Sequence, residues 1–261
     1  MAIVNSRMAL AYFVLGVLAL SMIVPAQVRA QSAAVDPAAT QILKRMTDYL
    51  DTLKKFSLHT QNTIEDLLES GQRIDTDISA NVIISRPNKL RAERKGELVD
   101  QLFYYDGKSL ILYNPSDKVY GKESAPASIE KMLHFAIDSL GLIIPGADLV
   151  YRNAYPALMK NVTSARVIGK TIISGVKCDH LAFSRPDVDF QVWVADSKKP
   201  LPYKYVVTDK STPALVSIST VVSDWNTAPA VADKSFTFKP PKGTMAIKFM
   251  PLTVSGFAVK D

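Results

Sequence analysis

Few residue patterns in this chain have the types and spacing that catalysis needs. Gly107-Lys108-Ser109 matches only the end of a phosphate-binding loop. That loop requires a glycine where the chain has Leu102, and it must open a helix, whereas Ser109 opens an apolar, strand-like run. Asp179-His180 is an acid–base pair by type, yet adjacent side chains in a strand point to opposite faces. No Gly-x-Ser-x-Gly nucleophile motif occurs in the sequence.

Metal binding and redox chemistry have equally little support. No histidine has a partner at metal-ligand spacing; the histidines of the chain are His59, His134 and His180. Asp187 and Asp189 can share a strand face, but they follow a proline at a position typical of an exposed turn. Cys178, the single cysteine, has no disulfide partner and is expected to be a small buried side chain. We therefore expect no catalytic residue, no metal, no cofactor and no enzymatic activity.

The first 30 residues have the features of a secretory signal peptide. Residues 1–7 include one arginine, residues 8–24 are almost entirely apolar, and Val28-Arg29-Ala30 provides small residues for cleavage after Ala30. The alternative is an uncleaved membrane anchor, although the apolar run is at the short end of the roughly 17–25 residues that span a bilayer. We predict cleavage, a location in the periplasm, and a single domain over residues 31–261.

Within that domain, residues 31–36 are predicted to be a flexible leader and residues 244–261 a C-terminal tail. The full chain has a formal net charge of +6. The predicted signal peptide contains two arginines and no acidic residue, so the mature chain keeps +4. This charge is too small to indicate nucleic acid binding. It is compatible with a solvated basic surface or with attraction to an acidic membrane surface of the envelope.

Hydrophobic periodicity predicts a few helices added to a mainly antiparallel sheet. Apolar residues recur at helical spacing in residues 37–53 and 126–141, and a short helix is expected at residues 154–160. Most of the remaining chain alternates between apolar and polar residues, which is typical of strands with one buried face. We predict the last strand at Phe236-Thr237-Phe238.

The turns between the predicted strands are marked by specific residues. Asp106-Gly107 lies between apolar runs and indicates a tight hairpin, because such a turn needs residues that tolerate positive φ. Pro87 and Pro115 lack a backbone N–H group and therefore mark strand ends.

Several segments, taken in order, resemble the lipoprotein carrier fold of LolA and LolB. They are Phe56-Ser57-Leu58-His59-Thr60-Gln61, Arg86-Pro87-Asn88, Asp106-Gly107-Lys108-Ser109-Leu110, Tyr113-Asn114-Pro115 and Phe236-Thr237-Phe238-Lys239-Pro240-Pro241-Lys242-Gly243. Nearly the whole mature chain, including residues 141–151 and the Val192-Trp193 and Leu201-Pro202 steps, resembles more closely an uncharacterised family of predicted exported proteins, domain of unknown function 2092.

The resemblance implies an α+β fold, mainly antiparallel: a curved, unclosed β-barrel (a half-barrel) with helices covering its concave face. It also implies an apolar cavity between sheet and helices that takes a lipid, an acyl chain or a lipidated protein. In carriers of this kind, the arginine of the Arg-Pro step hydrogen-bonds to the helical lid, and Arg86 matches that position. Residues 121–180, which include the lid helices, depart from the carrier pattern.

Four apolar residues of the second predicted helix are candidates for the cavity wall: Met132, Leu133, Phe135 and Ile137. The alternative is ordinary core packing, which an apolar helical stripe over a sheet also produces. These features together favour an exported, non-catalytic, carrier-like protein that binds lipid or lipoprotein. The alternative is an envelope sensor or protein-interaction module built on the same fold.

Overall fold

The protein is built around one large β-sheet. The computed structural model describes residues 35–97 and 99–249. Its strands are β1 (Lys55–Leu67), β2 (Arg73–Ser85), β3 (Lys89–Gly96), β4 (Asp100–Tyr105), β5 (Ser109–Asn114), β6 (Val119–Ser124), β7 (Ser164–Ile173), β8 (Val176–Ser184), β9 (Val188–Ala195), β10 (Pro202–Asp209), β11 (Ser217–Asn226) and β12 (Met245–Ile247). Its helices are α1 (Pro37–Thr52), α2 (Ile129–Asp138) and α3 (Ala154–Met159), with 3₁₀ turns at Ala147–Val150 and Asp233–Phe236.

The twelve strands follow the order β12-β6-β5-β4-β3-β2-β1-β11-β10-β9-β8-β7. Neighbouring strands are antiparallel, except that β12 runs parallel to β6. Over the described part of the chain, the end strands β7 and β12 do not pair with each other, so the sheet remains open. The predicted architecture, an unclosed half-barrel of mainly antiparallel strands with helices on its concave face, is confirmed.

The central strands β1 and β2 are each 13 residues long and pair along their whole length. Along β1, the buried positions alternate with more exposed ones, as a sheet with one covered face requires. Phe56 pairs with Ile84, Leu58 with Val82, and each pair continues onto β3 through Leu90 and Ala92. Successive strands therefore place their apolar side chains in rows across the concave face.

The hairpin between β4 and β5 forms at the predicted position. The Asp106 side chain accepts hydrogen bonds from the backbone N–H groups of Lys108 and Ser109, at 2.9 and 2.8 Å. Gly107 has a φ of 93°, which favours glycine at this turn. Pro87 lies in the turn between β2 and β3, and Pro115 directly follows the end of β5, as predicted.

The helices cover the concave face with one apolar side each. Asp36 caps α1 by accepting a hydrogen bond from the Ala38 backbone at 2.8 Å, and Pro37 occupies the first turn, where its missing N–H group costs nothing. Helix α1 buries an apolar stripe of Ala39, Leu43, Met46 and Leu50, and packs on β7, β8 and β9. No helix in residues 35–249, as far as they are described, is long and apolar enough to cross a membrane.

The prediction of a last strand at residues 236–238 is wrong. Phe236 ends a 3₁₀ turn and is buried, with 1% of its surface exposed. Phe238 lies on the outer face of the sheet, with its ring centre 5.2–5.4 Å from those of three tyrosines, Tyr104, Tyr113 and Tyr120. The two phenylalanines therefore pack in different places, one in the core and one against the tyrosines. Their alternation in the sequence does not reflect a strand.

The predicted terminal segments are only partly described. The signal peptide at residues 1–30 and leader residues 31–34 lie outside the described residues. Val35 forms a parallel bridge with Ala165, and Asp36 caps α1. In the predicted tail, Met245–Ile247 forms β12 at the edge of the sheet, and residues 250–261 lie outside the described part.

Strands β2 and β3 approach so closely at Gly96 that a side chain there would collide with the β2 backbone. A Cβ atom on Gly96 would lie 2.3 Å from the Asp77 carbonyl oxygen, which is backbone and has little freedom to move. We expect Gly96→Ala to lower the free energy of unfolding by about 1–3 kcal/mol, measured by urea denaturation. The neighbouring Lys95→Ala, which alters a 64% exposed side chain, serves as the control and should stay within about 0.5 kcal/mol of the parent. Equal loss in both variants would contradict a steric role for Gly96.

Candidate functional site

A cavity of about 90 Å³ lies between the concave face of the sheet and the segment of residues 129–150, which contains α2 and the first 3₁₀ turn. We call this segment the cover. The sheet contributes apolar residues from five neighbouring strands, β4, β3, β2, β1 and β11: Leu58, Val82, Ile84, Leu90, Ala92, Phe103, Val222 and Trp225. The cover contributes Leu133, Ile144, Pro145, Ala147, Leu149 and Val150. The wall is therefore mostly hydrocarbon on both sides, as expected of a site for an apolar ligand.

The polar residues of the cavity are grouped toward one end. Four polar side chains line the cavity: Thr60, Asn62, Arg94 and Thr220. The strand register places Thr60 and Arg94 in one row, with Ala80 between them, and places Asn62 and Thr220 in the next row. The rows on the other side contain only apolar wall residues such as Leu58 and Ile84. The cavity therefore has an apolar end and a polar end.

Most polar atoms at the polar end are already hydrogen-bonded. The Asn62 amide donates to the Thr60 hydroxyl oxygen at 3.0 Å and to the Ile78 carbonyl at 2.9 Å. The Thr220 hydroxyl donates to the Asn62 side-chain oxygen at 2.9 Å. This buried network joins β1, β2 and β11 and satisfies the Asn62 amide, so its main effect is to fix the local side-chain positions.

Arg86 connects the cavity cover to the sheet. Its guanidinium donates to the carbonyl of Leu50, in the last turn of α1, at 3.1 Å and to the carbonyl of Val150, at the end of the 3₁₀ turn, at 2.7 Å. It also lies 3.7 Å from an Asp51 oxygen and 5.4 Å above the centre of the Phe56 ring. Only 5% of the Arg86 side chain is exposed, and this burial lowers its pKa against the opposing effect of Asp51. A guanidinium nevertheless stays charged at neutral pH.

The segment that follows Val150 is held by carboxylates of both long helices. Glu130 of α2 accepts a hydrogen bond from the Arg152 backbone at 3.0 Å. Asp51 of α1 accepts one from the Asn153 backbone at 2.9 Å. Together with Arg86, these contacts tie the end of the cavity cover to β2, α1 and α2.

A second arginine, which the sequence reasoning missed, makes the same kind of contact elsewhere. Arg185 donates to the carbonyls of Ala157 and Leu158 at the end of α3, at 3.0 and 2.7 Å, and lies 5.2 Å above the Phe190 ring. The sequence contains a signal for it: Ser85-Arg86-Pro87 recurs as Ser184-Arg185-Pro186. Each copy joins two antiparallel strands, β2 to β3 and β8 to β9, and each places its arginine at the carbonyl end of a helix.

The residues proposed from the sequence have different positions around this cavity. Leu133 is part of the cavity wall. Met132 is fully buried in the core beside it, and Phe135 and Ile137 pack against the core from partly buried positions. Arg86 lies next to the cover, bound to Val150. The role of these five residues in ligand binding stays a prediction.

The residue types that first suggested chemistry are dispersed. Within residues 35–97 and 99–249, no group of three or more His, Cys, Asp or Glu side chains is placed to hold a metal ion. Asp179 is buried and pairs with Lys170 at 3.2 Å, while His180 stacks on Trp193 with ring centres 4.0 Å apart. Burial raises the pKa of the Cys178 thiol to about 11, which keeps it protonated at neutral pH.

Comparison with known proteins gives a family and several distant structural similarities. No curated protein matches the chain. An uncharacterised conserved protein from Thermus thermophilus is 12% identical with a TM-score of 0.47, covering 81% of this chain and 99% of its own. LprF from Mycobacterium bovis is 15% identical with a TM-score of 0.47, covering 76% and 97%. A LolA superfamily protein from Nitrosomonas europaea is 11% identical with a TM-score of 0.35, covering 77% and 97%.

These structural similarities are too distant to support any statement about what the chain binds. The family match is stronger evidence, because it extends over residues 39–250, most of the chain. The matched family is described as predicted periplasmic protein, DUF2092, in agreement with the location expected from the sequence. The chain therefore belongs to this family of predicted periplasmic proteins.

Proposed function

We propose that this periplasmic protein is a carrier-like protein that binds a lipid, an acyl chain or a lipidated protein in the cavity between sheet and helices, without catalysing a reaction. The observation behind the proposal is the cavity itself, whose wall is hydrocarbon from both the sheet and the cover. Moving an acyl chain from water into an apolar site is favourable by about 0.8 kcal/mol of free energy for each CH₂ group that is buried. A protein that shields such a chain allows it to cross the aqueous periplasm.

The size of the cavity implies that the cover must move to admit a long ligand. The cavity measures about 90 Å³, whereas an engineered cavity of about 150 Å³ holds a single molecule as small as benzene. The space therefore suits only the first few carbons of a chain. An acyl chain requires the cover to separate from the sheet.

The cover has local features that favour such movement. Residues 142–145 lie between Gly141 and Gly146, whose φ angles of 66° and 70° place both in the left-handed region. Ile144 and Pro145 from this segment line the cavity. We infer that the segment between the two glycines moves outward, while the Arg86 contact to Val150 limits how far the cover opens.

Purification from its own envelope followed by native mass spectrometry tests the proposal directly. We expect a fraction of the protein to retain an acyl-containing molecule, and we expect added dodecanoate to raise the melting temperature. Protein that is consistently empty, with no thermal shift on addition of a lipid, would contradict the proposal. A stable protein partner in a crosslinked pull-down from such empty protein would favour the envelope sensor instead.

Filling the cavity should weaken binding without unfolding the protein. Ala80 lies on β2 with its side chain against the cavity, so Ala80→Leu places three extra carbons in the space of about 90 Å³. We expect the affinity for dodecanoate to fall at least about tenfold in calorimetry, since the ligand loses the buried volume. Ser79→Leu, one residue away on the opposite face of β2, is the matched control and should bind as the parent does.

Removing Arg86 should loosen the cover. Arg86→Leu leaves the Leu50 and Val150 carbonyls without their donor, so we expect the free energy of unfolding to fall by about 2–4 kcal/mol while far-ultraviolet circular dichroism still shows the sheet. We expect a bound acyl chain to dissociate about tenfold faster or more, measured by stopped-flow transfer to vesicles. The reason is that the cover loses its attachment to β2.

Arg185→Leu is the matched control for Arg86→Leu. It removes an arginine with the same two-carbonyl contact and the same stacking on a phenylalanine, but at α3 and outside the cavity wall. We expect a comparable loss of stability and an unchanged dissociation rate. Equal acceleration in both variants would show that general destabilisation, rather than the Arg86 attachment, controls ligand release.

A further inference from the structure

The cavity wall contains one charged side chain, Arg94, whose position the contacts of the fold do not explain. Arg94 lies on β3 and follows Leu90 and Ala92 on the concave face, with Ala80 of β2 beside it. Within residues 35–97 and 99–249, its guanidinium has no hydrogen-bond acceptor and no carboxylate at ion-pair distance. Arg94 is half-buried, so its guanidinium brings a full positive charge and N–H donors without a protein partner to the wall of the cavity, where they keep some contact with water.

Four other arginines of this protein make specific side-chain contacts. Arg86 and Arg185 each donate to two helix carbonyls, and Arg73 pairs with Glu65. Arg91, on the same strand as Arg94 but on the opposite face, stacks 5.5 Å above the Tyr104 ring. Arg94 differs from these four because it lines the cavity and makes no such contact.

The surroundings of Arg94 make a missing counter-charge costly. Burial alone lowers the pKa of the Arg94 guanidinium, since no charged neighbour acts on it. The group remains a cation at neutral pH and is partly removed from water among apolar wall residues. Partial burial of an unpaired charge costs free energy, which an anion in the cavity would offset.

A second polar group points toward the same space. Thr60 occupies the same row of the sheet as Arg94, separated by two strand spacings, or roughly 10 Å of backbone, across the small Ala80 side chain. The Thr60 hydroxyl accepts a hydrogen bond from Asn62 and, in the described part of the chain, donates to no other group. It therefore keeps one proton available for an anion that also contacts Arg94.

The cavity continues from this polar row into an apolar, closed end. From Arg94 the wall passes Ala92 and reaches Leu90, a distance of about 13 Å along the strand at the usual rise per residue. Leu90 and its neighbour Tyr105 are buried, whereas Lys95 and Gly96, beyond Arg94, are exposed. The charged row is therefore at the water side, and the hydrocarbon rows are in the interior.

We propose that the ligand of this cavity is an amphiphile with one anionic head group, a carboxylate or a phosphate, held by Arg94 with the Thr60 hydroxyl while its acyl chain extends toward Leu90. The proposal rests on the proposed function and adds the class of ligand to it. A guanidinium matches both anions, because its donors form a planar fork that carboxylate and phosphate oxygens accept equally well.

Three ligands with the same chain separate the contribution of the charge from that of the hydrocarbon: dodecanoate, dodecyl phosphate and the neutral dodecanol. Calorimetry on the mature protein should give at least about tenfold tighter binding for one or both anions than for the alcohol. Arg94→Gln, which keeps a polar side chain but is shorter and removes the charge, should reduce the anion affinity to that of dodecanol and leave dodecanol binding unchanged. Arg94→Lys should restore part of the preference.

Arg91→Gln is the matched control, because it removes an arginine from the opposite face of the same strand, and it should bind all three ligands as the parent does. The tighter of the two anions identifies the head group, and either result supports the proposal. Equal binding of all three ligands to the parent and to Arg94→Gln would overturn the role of Arg94 while leaving the apolar cavity intact. Absence of binding for all three would instead contradict the proposed function.

Discussion

The arrangement of this protein depends on two arginines, Arg86 and Arg185, that bind the carbonyl ends of its helices. Neither α1 nor α3 has a basic residue in its last turn, so neither neutralises its own exposed carbonyls. Arg86 and Arg185, each at the turn between two strands, donate to those carbonyls instead. These carbonyl acceptors offset part of the cost of removing each guanidinium from water, although the Nε atom of each lacks a partner within the described residues. The position of each helix end relative to the sheet is therefore strongly restricted.

This restriction also determines where the cavity lies. Because Arg86 binds both α1 and the 3₁₀ turn at Val150, the cover is attached at one side of the concave face, and the segment between Gly141 and Gly146 extends over the rest. A space of about 90 Å³ remains between this segment and the apolar rows beneath it. In an ordinary core such a void would cost stability, at about 24 cal/mol per Å³. A ligand that occupies it would offset that cost.

The sequence predicted the sheet well and the site only in part. Asp106-Gly107 and the prolines located the hairpin and the strand ends, since these residues restrict the backbone locally. The prediction at residues 236–238 failed because two apolar residues in alternation also occur where a coil packs on an outer face. Arg94 was missed because an arginine in a polar stretch is normally solvated, and only strand register shows that it follows Leu90 and Ala92 into the cavity.

The sequence by itself determined what depends on neighbouring residues: the alternating strands, the amphipathic helices, the tight turn and the family resemblance. Only the tertiary structure decided which residues meet across long separations. Arg86 reaches Val150 across 64 positions, and Asn62 meets Thr220 across 158. Such contacts depend on strand order and on sheet curvature, which arise from the packing of the whole chain. For that reason the repeated Ser-Arg-Pro step is visible in the sequence, whereas the hydrogen bonds from its arginines to the carbonyls at helix ends are visible only in the structure.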